Sequence, residues 1–573
     1  MSFASIYDWI LSTFSSFHAW ILSRFEEIEP DTPTWYLLIS AAIFLLWILL
    51  RGLYRVMTAK WLSISFFILK HAVYPHLLPR TYFTGTATRF QIAATTLYLM
   101  VNALFVTIPK ATWADMGTRA ATMAVINLIP LLCGPRLSMV TKLLGISLRT
   151  SLASHSWIGR TAIALAAFHI VIITKDGDRF SRTWGSVFGV VAGSAFGLIF
   201  ILSIRPVVRR VYEWFLNSHL LLAAMALLAI WRHLPTKKAG AKFLNIGICQ
   251  WAIISAVHWS LFARRNFVFG RPFATAVVTP LSPAKPVLDM PASEAYPTLL
   301  QVDITVPRPW GVRAGQHVFL SIPGLGIFTG LRGHPFVIAW WDRDRSGLTI
   351  SILVSSKNGF TRELSRNANK TFRAFIDGPF GIPHGFGAYG TVVMIATGIG
   401  IAGHMPYLKD LISGYNSCEV RTRRILLIWQ IQNEGQEDAV RPWMVKPWMD
   451  KILTQDTGMV SLHVTESGKE DEELGTHSKI KVTSTSPDIE GLLRKEIGGR
   501  RGDIIVSRKS AAPSDFHFAD GQVCADNAIA DRARTQVQTH MDKGVRLVEL
   551  DFQPPSFKTA AKDTRGMEFS CRG

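Results

Sequence analysis

Four histidines occupy two apolar stretches of the sequence at the same separation. His155 and His169 begin and end "HSWIGRTAIALAAFH", and His219 and His233 begin and end "HLLLAAMALLAIWRH", so the members of each pair are 14 residues apart. At 3.6 residues per turn this is just under four turns, and both histidines of a pair project from nearly the same face of one helix. Two such helices running in the same direction would bring His155 opposite His219 and His169 opposite His233.

Facing imidazoles inside an apolar bundle are suited to haem. The iron accepts one axial imidazole from each side, and two helices can supply both while they bury the planar porphyrin. The offset along each helix is about 21 Å at 1.5 Å per residue, which leaves room for two haems, one near each leaflet. A lone histidine in a membrane helix is more commonly a packing or pore residue, and His258, which lacks a partner at this spacing, is assigned to packing. The repeated spacing favours bis-imidazole haem ligation and therefore electron transfer.

Apolar runs of membrane-crossing length fill the first half of the chain. Seven runs are long enough to cross roughly 30 Å of hydrocarbon, and they lie near 34–50, 90–108, 119–133, 151–174, 185–204, 214–234 and 243–263. The rest of the 573 residues mixes charged residues, glycine and proline, and the length exceeds what one core usually supports. We therefore expect a multi-domain membrane protein in which an all-α transmembrane bundle of about seven helices precedes a soluble half.

The formal charge of +20 is distributed as in a membrane protein. Basic residues concentrate in alternate loops between the spans, although Lys237 and Lys238 break the trend. Since cationic loops stay on the cytosolic side, we expect the soluble half in the cytosol. The sequence has no basic stripe interleaved with aromatic residues, which argues against nucleic acid as a partner, and the five scattered cysteines form neither a disulfide framework nor a zinc pattern.

Short strands and then a glycine-rich turn follow Arg265. Segments such as "TLLQVDITVP" and "QHVFLSIP" alternate in polarity and predict a small antiparallel β-barrel up to about residue 380. In "TVVMIATGIGIAGHMPYLKDL" an apolar strand leads into a glycine-rich turn and an amphipathic helix, which predicts an α/β Rossmann-like nucleotide domain. The G-x-G-x-x-G glycines that would let the backbone approach a pyrophosphate are Gly398, Gly400 and Gly403.

The histidine stretches also carry a family resemblance. "SHSWIGRTA", together with two equally spaced histidine pairs, resembles the ferric reductase-like transmembrane domain and, within it, the fungal ferric-chelate reductases. NADPH oxidases are relatives that typically have one unequal spacing. The resemblance implies that Arg160 lies near a haem propionate, and the alternative is that Arg160 anchors its helix at the cytosolic interface.

The barrel segment resembles the flavin-binding barrel of the ferredoxin-reductase superfamily. In "GHPFVIA" the resemblance assigns three residues to FAD, namely His334, Pro335 and Phe336. Val337 stands where the superfamily prefers a hydroxyl, so one hydrogen bond to the flavin ring would be lost. "SKNGFTREL" resembles the segment that meets the flavin pyrophosphate, with Gly359 and Thr361 near the phosphates and Thr361 positioned to cap the helix. An ordinary strand-to-helix turn is the alternative.

The resemblance is weaker in the C-terminal segments that correspond to the nicotinamide site. Cys524 and Phe552 correspond to the cysteine and the terminal aromatic residue that lie near the nicotinamide in the family, but Ala525 and Asp526 replace its Gly-Pro. Gln430 stands where relatives that use NADPH usually carry an arginine, and basic residues further along the chain could replace it. NADPH is therefore favoured and NADH stays open.

These features divide the chain into four parts. We expect an interfacial segment at 1–33, a di-haem transmembrane domain at 34–265, an FAD-binding barrel at 266–380 and an NAD(P)H-binding α/β domain with a C-terminal tail at 381–573. The resemblance implies a ferric-chelate reductase that carries electrons from cytosolic NAD(P)H through FAD and two b-type haems to ferric or cupric chelates, for iron uptake, in the plasma membrane or an internal membrane. The alternatives are a superoxide-generating NADPH oxidase, a relative that reduces an organic substrate in specialised metabolism, and a pseudo-enzyme that keeps haem without turnover. The oligomeric state stays open.

Overall fold

The computed structural model describes the helical bundle and both sheets of the soluble half. The described residues are 32–56, 68–73, 75–78, 87–108, 112–133, 137–146, 148–175, 183–210, 212–235, 239–281, 284–285, 296–297, 299–326, 332–344, 347–356, 359–431, 460–465, 472–474, 480–483, 488–499, 503–510, 532–541 and 544–550. Residues 1–31 of the predicted interfacial segment and the C-terminal tail lie outside these residues, as do Cys524 and Phe552.

The described part of the first half is built from helices. In chain order they are α1 (Thr32–Val56), α2 (Arg89–Thr107), α3 (Trp113–Leu131), α4 (Leu137–Leu144), α5 (Leu148–Lys175), α6 (Trp184–Leu202), α7 (Arg205–Arg210), α8 (Tyr212–His233) and α9 (Ala239–Asn266). A π-helical turn at Leu69–Val73 and a small hairpin of β1 (His76–Leu78) and β2 (Ala87–Thr88) precede α2. Among the described helices, α1, α2, α5, α6, α8 and α9 are long and apolar enough to cross a membrane.

The predicted span at 119–133 corresponds to α3, which differs from the other long helices. It begins at Trp113 because Thr112 and Asp115 form a capping box, in which the Thr112 hydroxyl accepts from the Asp115 amide and the Asp115 carboxylate accepts from the Thr112 amide. The charged first turns keep α3 below the apolarity of a membrane span. It packs against α1, α2, α5 and α9, and its second half is largely buried. In the described part of the bundle there are therefore seven long helices, six of which qualify as spans.

A buried polar network joins the first three helices of the bundle. The Tyr98 hydroxyl donates to Asn127 Oδ1 at 2.5 Å, and Asn127 Nδ2 donates to Asn102 Oδ1 at 2.8 Å. Asn102 Nδ2 in turn donates to the Tyr36 hydroxyl at 3.3 Å. Because buried amides must find partners, this network fixes how α1, α2 and α3 pack together.

The first soluble domain is a curled antiparallel sheet. Its strands are β3 (Ala274–Pro280), β6 (Leu299–Val306), β7 (His317–Ser321), β8 (His334–Val337), β9 (Trp340–Asp344), β10 (Gly347–Ser355) and β11 (Thr371–Phe380), and a two-stranded ribbon of β4 (Ala284–Lys285) and β5 (Tyr296–Pro297) is separate. The order is β8-β7-β11-β3-β6-β10-β9. The two edge strands, β8 and β9, are consecutive in the chain, so residues 338–339 between them close the sheet into a barrel. At this junction the Ala339 amide donates to the Ser351 carbonyl oxygen at 2.9 Å. Helix α10 (Phe360–Arg366) precedes β11.

The second soluble domain is a mainly parallel sheet. Its strands are β12 (Thr391–Thr397), β13 (Arg424–Gln430), β14 (Val460–Thr465), β15 (Glu472–Leu474), β16 (Ile480–Thr483), β17 (Ile504–Ser510) and β18 (Val545–Glu549), and its helices are α11 (Met405–Asn416), α12 (Ile489–Gly498) and a helix over 532–540. The order is β15-β16-β14-β13-β12-β17-β18, with only β15 antiparallel to its neighbour. All seven residues of β12 are buried, as expected for a strand covered on both faces. The predicted fold class, a helical membrane bundle followed by an antiparallel barrel and a Rossmann-like domain, is confirmed.

Candidate functional site

Two of the four histidines face each other, and because we expect this pair nearer the cytosolic side, it is called the inner pair. His155 on α5 and His219 on α8 have ring centroids 6.2 Å apart, with an angle of 65° between the ring planes. Both side chains are half-buried, and His219 Nδ1 is buried without a hydrogen-bond partner among the described residues. Further along the two helices, Ile170 of α5 and His233 of α8 both approach the same part of α6, at Gly193 and Gly189. Two points of proximity show that α5 and α8 run in the same direction.

The other two histidines, called the outer pair, are held by backbone carbonyls. His169 Nδ1 donates to the Gly117 carbonyl oxygen at 2.9 Å, and His233 Nδ1 donates to the Gly185 carbonyl oxygen at 2.8 Å. When Nδ1 carries the proton, the lone pair of a neutral imidazole is on Nε2. A ligand histidine typically makes this kind of hydrogen bond through its other nitrogen, which fixes the tautomer and the ring orientation.

The outer histidines share a structural pattern that the sequence did not reveal. Gly117 lies in the amino-terminal part of α3, which packs against α5, and Gly185 lies in the first turn of α6, which packs against α8. Each histidine helix therefore has one companion helix whose glycine carbonyl holds the outer imidazole. Sequence spacing could not identify the glycines, because the partner atoms are backbone atoms.

Arg160 lies one turn beyond His155 on α5. Its side chain is exposed, and the guanidinium lies over the Trp157 ring at 5.3 Å from the ring centroid. This position is compatible with either expectation for Arg160, and its place beside a propionate stays a prediction.

The predicted flavin residues lie at the barrel edge next to α10. The His334 ring stacks on Phe360, with centroids 4.1 Å apart and an angle of 14°, and Phe336 lies 6.1 Å from the same ring. Pro335 lies between them on β8, opposite Phe319 of β7. The segment "GHPFVIA" and the start of "GFTREL" are thus neighbours in space.

The expectation that Thr361 caps α10 is wrong. The helix begins at Phe360, its N-cap residue is Gly359, and no side chain makes a capping hydrogen bond. Gly359 has φ 59° and ψ −128°, a conformation that glycine adopts without the steric cost that other residues bear. The backbone turn at Gly359, rather than a threonine hydroxyl, starts the helix.

The glycine-rich turn lies at the carboxyl end of β12. Gly398, Gly400 and Gly403 are all buried in a 3₁₀ turn that leads into α11, and Gly398 has φ 52°. Trp429 on β13 holds this turn, since its indole N–H donates to the Gly398 carbonyl oxygen at 2.9 Å. Beside it, at the carboxyl end of β13, Gln430 Oε1 is buried without a partner among the described residues.

A seam of titratable groups joins the nucleotide domain to the barrel through α11. Asp410 accepts from the Ala314 amide at 3.2 Å, and the Tyr407 hydroxyl accepts from the His384 amide at 3.3 Å. Burial raises the pKa of Asp410 and of Tyr407 and lowers the pKa of His384, because an apolar environment disfavours the charged form. Burial thus disfavours the charged form of all three side chains in this seam.

One contact links the flavin strand directly to a histidine helix. Arg332, two residues before His334, donates a hydrogen bond to the Asn217 side chain, two residues before His219. The edge of the barrel and the inner histidine pair are thus adjacent. Within the described residues no cluster of three or more His, Cys, Asp or Glu side chains could hold a metal ion directly.

Three family models match the chain in the order of its domains. They are the ferric reductase like transmembrane component over residues 120–230, an FAD-binding domain over 292–384 and the ferric reductase NAD binding domain over 389–556. The fold and these matches define a multi-pass membrane protein with FAD-binding and NAD-binding domains. The chain is similar to fungal ferric reductase transmembrane components, and its three domains match these models one after another.

Similar proteins include two fungal relatives. "Ferric/cupric reductase transmembrane component 2" of Saccharomyces cerevisiae is 24% identical over 65% of this chain and 48% of its own length. "Probable cell surface ferric reductase kap2" of Aspergillus oryzae is 23% identical over 56% of this chain and 44% of its own length. The chain spans about half the length of the curated relatives it matches. A solved structure, a cytochrome P450 reductase of Amycolatopsis, is 14% identical with a TM-score of 0.31, and the likeness covers 49% of this chain and 70% of that one.

Proposed function

We propose that the protein is an NAD(P)H-dependent ferric-chelate reductase that moves electrons across a membrane to ferric or cupric chelates. One observation carries the proposal: two histidine pairs lie on co-oriented helices of one bundle, and the inner pair faces across 6.2 Å. The relatives named as ferric and cupric reductases support this choice of acceptor.

The inner pair has a separation suited to haem. An imidazole nitrogen lies about 2 Å from a bound first-row metal, as in zinc sites, so two imidazoles on opposite sides of one iron have ring centres roughly 6 Å apart. His155 and His219 are at this separation. For the outer haem, the bonds from His169 and His233 to glycine carbonyls leave Nε2 of each ring as the ligand atom. These four side chains would hold two b-type haems.

Buried polar atoms without partners support the nucleotide sites. Ser356 Oγ lies three residues before Gly359 and is buried without a partner among the described residues, as is Gln430 Oε1 near the glycine-rich turn. Because such atoms normally find a hydrogen-bond partner, both are suited to contact bound nucleotides, the first FAD and the second NAD(P)H. His334, Pro335 and Phe336 would bind the flavin ring system, and Gly398, Gly400 and Gly403 would admit the NAD(P)H pyrophosphate.

The groups that the chain would hold supply the redox chemistry, in which NAD(P)H gives hydride to FAD and electrons pass singly to the haem irons. The chain's own residues orient and separate these groups. Contact of Arg332 with Asn217 keeps the flavin strand beside the inner pair. The helices that carry the histidines are apolar, which suits the burial of a planar apolar group between them.

The remaining assignments follow from the same proposal. The basic loops support a cytosolic soluble half, and the cell-surface name of the Aspergillus relative supports the plasma membrane. We assign NADPH as the preferred donor, with NADH as the alternative. The domain division at residues 33, 265 and 380, and the roles of Arg160, Cys524 and Phe552, belong to this proposal.

Difference spectra of membranes test the proposal. After NADPH is added without oxygen, the membranes should show reduced b-type haem, and added ferric chelate should oxidise it again as ferrous iron forms. Iron reduction that persists with superoxide dismutase supports a metalloreductase, whereas superoxide formation supports an oxidase. A haem spectrum that NAD(P)H leaves oxidised would overturn the proposed function.

A further inference from the structure

The last membrane helix ends in direct contact with the barrel sheet. Asn266, the final residue of α9, is 2% exposed. Its Nδ2 donates to the Ile376 carbonyl oxygen at 2.8 Å, and its Oδ1 accepts from the Ile376 amide at 2.7 Å. The same Nδ2 donates to the Phe262 carbonyl oxygen at 3.0 Å. The carboxamide therefore joins the helix end to one residue of β11.

This amide pair extends the hydrogen-bonded ladder of the sheet. On one edge of β11, the strand β3 pairs only as far as Ala374, where β3 begins at Ala274. Ile376 is the next position on that edge, because alternate residues of a strand direct their backbone groups to the same side. Asn266 thus takes the place that another residue of β3 would occupy.

A second contact lies two helical turns further back on α9. His258 Nε2 is 3.3 Å from Asp377 Oδ2, with the two side chains 8% and 26% exposed. Ile376 and Asp377 are neighbours on β11, whereas Asn266 and His258 are eight residues apart on the helix. Because these two contacts lie at different points along α9, they fix the angle between the strand and the helix as well as the position of the strand.

Aromatic packing holds the residue before this pair. The Phe375 ring lies 6.2, 6.1 and 5.8 Å from the rings of Phe262, Phe267 and Phe273. Three consecutive residues of β11 are therefore anchored to the end of α9 or to the chain that directly follows it. A strand held in this way cannot slide or rotate without breaking several contacts.

The anchored strand is in register with the predicted flavin residue. Ile376 pairs with Leu320 of β7, and Leu320 pairs with His334 of β8. Adjacent strands are about 4.8 Å apart, so the Asn266 contact lies roughly 10 Å from His334 across the sheet. If Ile376 moved, its paired residue Leu320 and then His334 would move with it, because the three strands are hydrogen-bonded to one another.

We propose that Asn266 is a positioning residue that fixes the flavin-binding barrel relative to the inner histidine pair. The inference rests on the proposed function. The Asn266–Ile376 amide pair, with the His258–Asp377 contact behind it, makes α9 and β11 one rigid unit. Because α9 packs against α3 and α3 packs against α5, the distance between the flavin site and His155 of the inner pair is then set by the fold instead of by domain motion.

The substitution Asn266→Asp tests this with little change in shape. The introduced carboxylate can still accept from the Ile376 amide but loses both donors, and it faces the Ile376 carbonyl oxygen. In the full-length protein with haem and FAD, hydrogen exchange of the Ile376 amide should be about tenfold faster. The rate at which NAD(P)H reduces the haem should fall about tenfold to hundredfold. Flavin-level reduction of a soluble dye by NAD(P)H and the oxidised haem spectrum should not change.

A matched control is Asn367→Asp. Asn367 follows α10, and its Nδ2 donates to the carbonyl oxygen of Glu363 four residues earlier, as Asn266 does to Phe262. Its Oδ1 accepts from Lys370 Nζ at 2.9 Å, and within the described residues it makes no hydrogen bond to a membrane helix, so haem reduction should equal that of the wild type. If Asn266→Asp does not fold, His258→Phe serves instead, because it removes the second contact. It should likewise slow the reduction of haem and leave the reduction of the dye unchanged.

The outcomes separate the two proposals. Exchange and haem reduction in the Asn266→Asp protein that match the Asn367→Asp protein overturn the positioning role. Parallel loss of dye and haem reduction also overturns it, because the defect would then lie in the flavin domain itself. Wild-type protein that reduces dye but never its haem contradicts the proposed function, while Ile376 exchange still reports on the contact.

Discussion

Substitution of one glycine should disturb the outer histidine pair and spare the inner one. A Cβ atom built on Gly189 of α6 lies 2.9 Å from both Cε1 and Nδ1 of His233. On the same helix, a Cβ atom built on Gly197 has no heavy atom within 4 Å. Both substitutions by alanine raise helix propensity equally, so Gly197→Ala is a matched control for Gly189→Ala.

The size of the effect follows from the contact distance. Carbon atoms in contact are normally about 3.5–4.0 Å apart, so the His233 ring must retreat by roughly 0.6 Å or more. A shift of this size weakens or breaks the 2.8 Å bond from Nδ1 to the Gly185 carbonyl oxygen. Loss of such a partner typically lowers metal affinity about 10–100-fold, or about 1.4–2.8 kcal/mol. The outer haem should therefore bind that much more weakly, and the inner haem should keep its affinity.

Haem content measured during stepwise dilution or extraction of the purified protein checks this prediction. Gly189→Ala protein should release one haem per chain well before the other, while Gly197→Ala protein should release haem as the wild type does. Equal release from the two variants would refute the reasoning that His233 is a haem ligand oriented by Gly185.

Two further predictions concern the soluble half. Burial lowers the pKa of His384, so as the pH falls the unfolded chain binds a proton before the folded protein does, and the free energy of unfolding should decrease below about pH 6.5. In denaturant titrations at several pH values, His384→Phe should make the free energy of unfolding less dependent on pH. An unchanged pH dependence contradicts this prediction. Glu496 and Arg424 form a partly buried ion pair at 2.8 Å, so Glu496→Ala should lower the free energy of unfolding by about 2 kcal/mol. The exposed Glu490–Arg494 pair of the same helix predicts a change within about 0.5 kcal/mol for Glu490→Ala, and equal effects would contradict the burial argument.

Local and periodic features of the molecule were predictable from the sequence. The separation of 14 residues within each histidine stretch indicated that His155 would face His219, since helical periodicity repeats in any tertiary context. The strand before Gly398 and its glycine-rich turn were equally visible, because the strand is apolar and the turn needs glycine. The start of α3 was misplaced because the capping box of Thr112 and Asp115 extends the helix beyond its apolar run.

Contacts between distant segments were not predictable. The carbonyl oxygens of Gly117 and Gly185 become partners of histidines only through helix packing. Every residue has a backbone carbonyl, so the sequence does not indicate which carbonyl is used. His258 was assigned to packing because no histidine lies at the same spacing from it, and its contact with Asp377, 119 positions further along the chain, could not be predicted. Thr361 was favoured as a cap on residue type, whereas the positive φ of Gly359 decided where α10 begins.

The haem complement of the purified protein tests the central claim most directly. The account predicts two six-coordinate b-type haems per chain by absorption spectroscopy, and it predicts one haem per chain when His169→Ala and His233→Ala are combined. Protein that contains no haem, or a double variant that still holds two, would contradict it.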